Sequence, residues 1–151
     1  MQTAYLLFFD KSDVWHSRFS PKNFKHVSLL IGENDEWVRV NPGDDQIFVE
    51  KILIRKLESK FGFIDHLSHA VKVSLTEPPH KKQWFIKLSA VCNECVRWVS
   101  GIECGWTFHP GHLYRNVLKY SGKRNYKVLG VWKKSTLLPH VKTTEKFVRV
   151  M

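Results

Sequence analysis

The sequence predicts a single α+β domain, an antiparallel sheet with helices packed on it, and three observations carry that expectation. The chain has 151 residues, of which 43% are apolar and 13% aromatic, enough to build one real core and too few for two ordinary ones. Short apolar or alternating runs separated by polar turns fill the first half. Helical spacing, closed by Gly101 and reopened by Pro110, belongs to the second half.

In chain order, residues 5–10 are an apolar run between polar residues and read as a buried strand. Segment 11–25 is polar, broken by Pro21, and reads as a loop. Residues 26–32 (HVSLLIG) and 36–41 (EWVRVN) read as strands joined through Glu33, Asn34 and Asp35 into a hairpin. The run Pro42-Gly43-Asp44-Asp45 is a turn. Residues 47–54 and 70–75 read as further strands, with 57–69 open between helix and loop. After the break at Pro78-Pro79, residues 84–91 are extended and 93–100 helical, with Gly101 as C-cap. Pro110 suits the first turn of a helix over 111–120, and 126–132 (YKVLGVW) reads as a strand. The tail, 142–151, is short and basic.

The longest early apolar run, 4–9, lacks a basic region before it and a small-residue cleavage site after it, so it predicts a strand rather than a signal peptide. No run reaches bilayer length, so a soluble protein without a membrane span is expected. Three cysteines, Cys92, Cys95 and Cys104, crowd into thirteen positions. That is no disulfide framework for a secreted domain, and it points to a reducing, cytoplasmic compartment.

Charge is uneven. Residues 1–80 hold 10 Lys and Arg against 11 Asp and Glu, whereas 81–151 hold 14 against 3. A field of one sign attracts polyanions, so an anionic partner (nucleic acid or an acidic protein surface) is set beside plain solubility as its meaning. Trp84, Trp98, Trp106 and Trp132 interleave with these cations. Aromatic and basic groups together bind single strands, yet large aromatics in a chain this size are mostly core, and that is the expectation for each tryptophan.

Cys92 stands where an extended segment meets a helix. A thiol there faces unpaired backbone N–H groups and the positive end of the helix dipole, which favour the thiolate. A cysteine hydrolase also needs an imidazole in reach and a polar group to orient it. His26 opens a strand, and Asn41, one hairpin later, can accept the imidazole N–H. Arg39 shares that strand face but cannot accept. Cys95 is the rival nucleophile. On one helix Cys92, Cys95, Val99 and Ile102 also share a side, so both thiols read equally as small core residues.

At these residues the chain resembles a known group. HVSLLIG, EWVRVNP, CNECVRWVSGI and HPGHLYRNVL look like small phage-encoded proteins with a permuted papain-like (NlpC/P60-type) fold. The matching positions are His26, Trp37, Asn41-Pro42, Cys92, Val96, Arg97, Gly101, Ile102, Pro110 and Leu113-Tyr114-Arg115. The His-then-Cys order is also similar to the lecithin:retinol acyltransferase-like branch. The resemblance spans roughly residues 24–116 and departs at His109, at Asn41 in place of Asp, and at the second cysteine, Cys95. It implies cysteine-hydrolase or acyl-transfer chemistry on a peptide, amide or ester. Cys92 would be the nucleophile, His26 the base and Asn41 the orienting residue.

Two other classes stay open: a non-enzymatic virion or assembly protein on the same scaffold, and a zinc-stabilised nucleic-acid-binding module. The second rests on the Cys92, Cys95, Cys104, His109 and His112 spacing, which suits a tetrahedral site. His66, His69 and His80 have no partner pattern and are expected at the surface.

Overall fold

A computed structural model of the chain describes residues 2–13, 15–43, 46–76 and 92–134, leaving aside the side chains of Trp15 and His16. The strands β1 (Gln2–Phe9), β2 (His26–Glu33), β3 (Glu36–Pro42), β4 (Ile47–Leu53), β5 (Leu67–Leu75) and β6 (Tyr126–Lys133) form one antiparallel sheet in the order β4-β3-β2-β1-β5-β6. The helices are α1 (Leu57–Lys60), α2 (Cys92–Ser100) and α3 (Pro110–Lys119). The α+β class and the antiparallel sheet with packed helices are therefore as the sequence predicts. Among the described residues no helix is long and apolar enough to cross a membrane.

The continuous apolar run at 4–9 has a physical reason: β1 is central and covered on both sides. Period-two alternation divides it between two cores. Ala4, Leu6 and Phe8 join Val27, Leu29, Val71 and Val73 under α2 and α3. Tyr5, Leu7 and Phe9 join Leu30, Trp37, Leu57 and Phe61 on the far side. Phe8 is wholly buried and meets Tyr114 and Phe24 edge to face, so Phe8→Ala costs about 3–5 kcal/mol.

Glu33 and Glu36 close the β2–β3 hairpin around Asn34, whose φ of 57° is a left-handed conformation that asparagine tolerates. Segment 57–69 resolves into the single turn of α1, a 3-10 turn at Phe61–Phe63, and then β5. Leu57 and Phe61 are buried in the far core, with Leu67 beside them and Ile64 packed against it. A 3-10 turn at Trp15–Phe19 interrupts what the sequence presents as plain loop. The expected strand over 84–91 and the basic tail at 142–151 lie outside the described residues, as do Trp84 and His80.

α2 ends at Gly101, φ 69°, the left-handed position expected of its C-cap. Asn125 then ties the outgoing loop to the turn before β6, donating to the Gly101 carbonyl at 2.8 Å and accepting from the Glu103 N–H at 3.1 Å. Pro110 opens α3, and His109 caps it, its Nδ1 accepting from the His112 N–H at 3.2 Å.

Three expectations about burial are corrected. Trp98 and Trp106 are 65% and 74% exposed rather than core. His69 is half-buried rather than fully at the surface: it stacks on Phe24, ring centres 4.8 Å apart, and leans on Tyr114. Its position opposite Phe8 on β5 points it under the helices.

Candidate active site

Three elements converge where β2 and β3 part. Their ladder runs from Glu33–Glu36 to Leu29–Val40 and stops there. Continuing that register would set Val27 opposite Pro42, which has no N–H to give, so the next rung cannot form in full. The strands splay, and the Val27 N–H is left for another acceptor. Cys92, the first residue of α2, lies at this opening, where the backbone N–H groups of Val27 and Asn93 and its own favour the thiolate.

Across the same opening His26 Nε2 donates to Asn41 Oδ1 at 2.8 Å. Donation through Nε2 leaves Nδ1 as the lone-pair nitrogen of a neutral ring. Alternation sends Val27 toward α2 and the His26 ring toward Phe9, its cross-strand neighbour, with ring centres 5.9 Å apart. Thiol and imidazole thus belong to opposite faces of the sheet. Cys92, His26 and Asn41 all come to one end of the sheet, but His26 and Asn41 lie on the Phe9 face and Cys92 on the face under α2. Alternation therefore does not set the imidazole beside the sulphur as a nucleophile–base pair requires.

The electrostatics differ from that reading. Burial pushes the Cys92 thiol up to about 11, outweighing the three backbone N–H groups that favour the thiolate. Burial also lowers the His26 imidazole, helped by the charge of Arg39 and opposed by the Asn41 hydrogen bond. The resting pair is a neutral thiol and a neutral imidazole, where helix-terminal placement alone predicts a stabilised thiolate. A buried sulphur outweighs the dipole because it has lost nearly all its water, being 8% exposed.

Cys95 is as buried as Cys92, and burial raises its thiol too. Cys104 is fully buried in the core that includes Tyr126, its thiol likewise pushed up to about 11 by burial. His109 is occupied in capping α3, with the His112 ring stacked on it at 4.2 Å. Among the described residues no three His, Cys, Asp or Glu side chains gather to hold a metal ion.

Sequence reasoning missed the brace beside the nucleophile. Asn93, wholly buried, donates to both the carbonyl and the hydroxyl oxygen of Thr107, each at 2.9 Å. The Thr107 hydroxyl donates to Glu94 at 2.6 Å. An asparagine immediately after the cysteine was the available signal. Two open clefts lie elsewhere, about 390 Å³ around Tyr5, Trp37, Glu58 and Lys72, and about 450 Å³ between Val38, Val40 and Val99.

The chain matches no protein-family model, no curated protein and no solved structure.

Proposed function

We propose that the protein is a cysteine hydrolase of the permuted papain-like kind, acting on a peptide, amide or ester carbonyl. The observation that carries this reading is the His26–Asn41 hydrogen bond, formed at the end of the sheet where Cys92 opens α2. Cys92 is the nucleophile, His26 the base and Asn41 the group that fixes the ring.

Because the resting pair is neutral, proton transfer accompanies attack. Alternation rests the His26 ring on the Phe9 face, so attack requires the ring to come round the start of β2. Nδ1 then takes the thiol proton as the sulphur bonds to the carbonyl carbon, and Asn41 Oδ1 steadies the imidazolium through Nε2–H. The oxyanion takes the N–H of Cys92 and a neighbouring backbone N–H. His26 then returns the proton to the departing amine or alcohol, leaving a thioester that water hydrolyses with His26 again as base.

The burial of the thiol favours a second reading, in which the scaffold serves virion or assembly contacts without catalysis. A carbonyl-directed electrophile such as a peptide aldehyde, in a panel with varied side chains, separates the two. Stoichiometric adducts on Cys92 that vanish in Cys92→Ala and fall sharply in His26→Ala support the hydrolase. A panel that labels Cys95 equally, or labels nothing while denaturation exposes all three thiols, leaves the assembly reading.

A further inference from the structure

The tryptophans that the core does not use stand on the basic half of the chain. Trp106 is 74% exposed and Phe108 66%, and their rings meet edge to face, with centres 4.9 Å apart. This pair is held rigidly. Between them Thr107 turns inward to Asn93, the Asn116 amide donates to the Trp106 carbonyl at 3.0 Å, and the Arg97 guanidinium donates to the carbonyl of Gly105. Phe108 also packs edge-on against His112 of α3, at 5.7 Å. Two large rings turned outward on a segment tied down by these polar bonds, the Asn93–Thr107 one buried, form a shelf, which differs from side chains left over at a loop tip.

What lies beside the shelf is cationic. Between residues 101 and 134 there are seven Lys and Arg and one acid, Glu103. Arg115 and Lys119 follow each other by one turn on α3, the same helix that holds the shelf through His112 and Asn116. Lys119 and Arg124 both lie over the Tyr120 ring, at 5.3 and 6.0 Å, which carries the positive ridge past the helix end to Lys123. Lys134, by contrast, is matched to Asp10 at 3.1 Å.

We infer that this shelf and ridge form a binding surface for single-stranded nucleic acid. The charge selects a polyanion, and the exposed rings select one with open planar faces. A duplex stacks its bases on each other and hides those faces, and an acidic peptide offers carboxylates without them. The ridge Arg115–Lys119–Lys123–Arg124 takes the phosphates, and Trp106 and Phe108 take one or two bases. The inference is independent of the hydrolase reading, since none of these residues belongs to the Cys92, His26 and Asn41 site.

The test is fluorescence anisotropy of the full chain with labelled single-stranded DNA and RNA 20-mers, the matching duplex, and polyglutamate, across salt concentrations. Single strands should bind most tightly, with log affinity falling against log salt by up to about three for four phosphates. Lys123→Ala with Arg124→Ala should shallow that slope by about 1.4. Trp106→Ala should weaken single-strand binding roughly tenfold at unchanged slope, and Trp106→Phe should recover most of it. Unchanged Cys92 adduct formation in these variants keeps the outcome apart from that of the catalytic reading. Duplex or polyglutamate binding as tight as single strands, indifference to Trp106→Ala, or no binding at low salt would each overturn the inference.

Discussion

Asn41 Oδ1 accepts the His26 Nε2–H at 2.8 Å across the point where β2 and β3 separate, joining by side chains two strands whose backbones no longer pair. The bond fixes the tautomer and the ring plane together. Asn41→Ala should therefore lower the rate of the chemical step by about 10²-fold with little change in substrate affinity. Asn41→Asp keeps an acceptor and adds a charge that favours imidazolium. Its activity should survive, with the acidic limb of the pH–rate profile moved to higher pH. Loss of activity with no movement of that limb would show that Asn41 does not act through His26.

The raised thiol makes a separate prediction. Iodoacetamide labelling of Cys92 in the folded protein should be slow at pH 7–8 and should keep climbing toward about pH 11. A plateau near the ordinary thiol value would mean that the sulphur is better solvated than its 8% exposure implies. The pH–rate profile should likewise have an acidic limb below the ordinary histidine value of 6.5. It should show no alkaline limb before thiol ionisation, because the active form is the neutral pair.

Much of the architecture was legible because local signals and burial agreed. The β2–β3 hairpin, the Pro110 start of α3 and the Gly101 end of α2 each rest on a residue whose backbone preference matches its place. The His26–Asn41 pairing was legible because strand order and one hairpin determine it, whereas the face of the sheet on which Cys92 sits relative to His26 was not, since it turns on where α2 packs. The thiol's ionisation was not, since it turns on how completely helix and sheet exclude water around one atom, a property of tertiary packing. Trp98 and Trp106 misled for a related reason. An aromatic ring reads as core from its size, while Thr107 decides which side of its segment turns inward. His69 erred the other way, because residue type gave no hint that Phe24 and Tyr114 would cover it.

The Asn93–Thr107 brace yields a stability prediction. Asn93→Ala removes two buried donations and leaves the Thr107 carbonyl without that partner, at a cost of about 1–3 kcal/mol. Chemical denaturation should show the midpoint falling at constant m-value. Since α2 begins at Cys92, aldehyde adduct formation should fall along with it. Asn93→Asp loses the donors while keeping the shape, and it should be no better than alanine. Recovery to wild-type stability in that variant would assign the effect to packing.

Acid stability provides the last prediction, and its sign follows from three histidines. Burial lowers His69, with the charge of Lys133 adding to it, and burial likewise lowers His26 and His109. Each has a folded value below the 6.5 of the unfolded chain, so between the two values the unfolded state binds more protons. Their contribution is fully present above about pH 6.5 and is lost as the pH falls through the folded values. Asp10 acts in a lower window: despite desolvation, Lys134 and His66 hold it below the ordinary 3.8, so its contribution is lost only below that. Thermal melts should therefore show a first decline beginning near pH 6.5, well before carboxylates titrate. His69→Phe preserves a ring against Phe24 and Tyr114 and removes the titration, so it should flatten part of that decline while leaving the melting temperature at pH 8 nearly unchanged. A decline identical to wild type in this variant would move the acid sensitivity to His26 and His109.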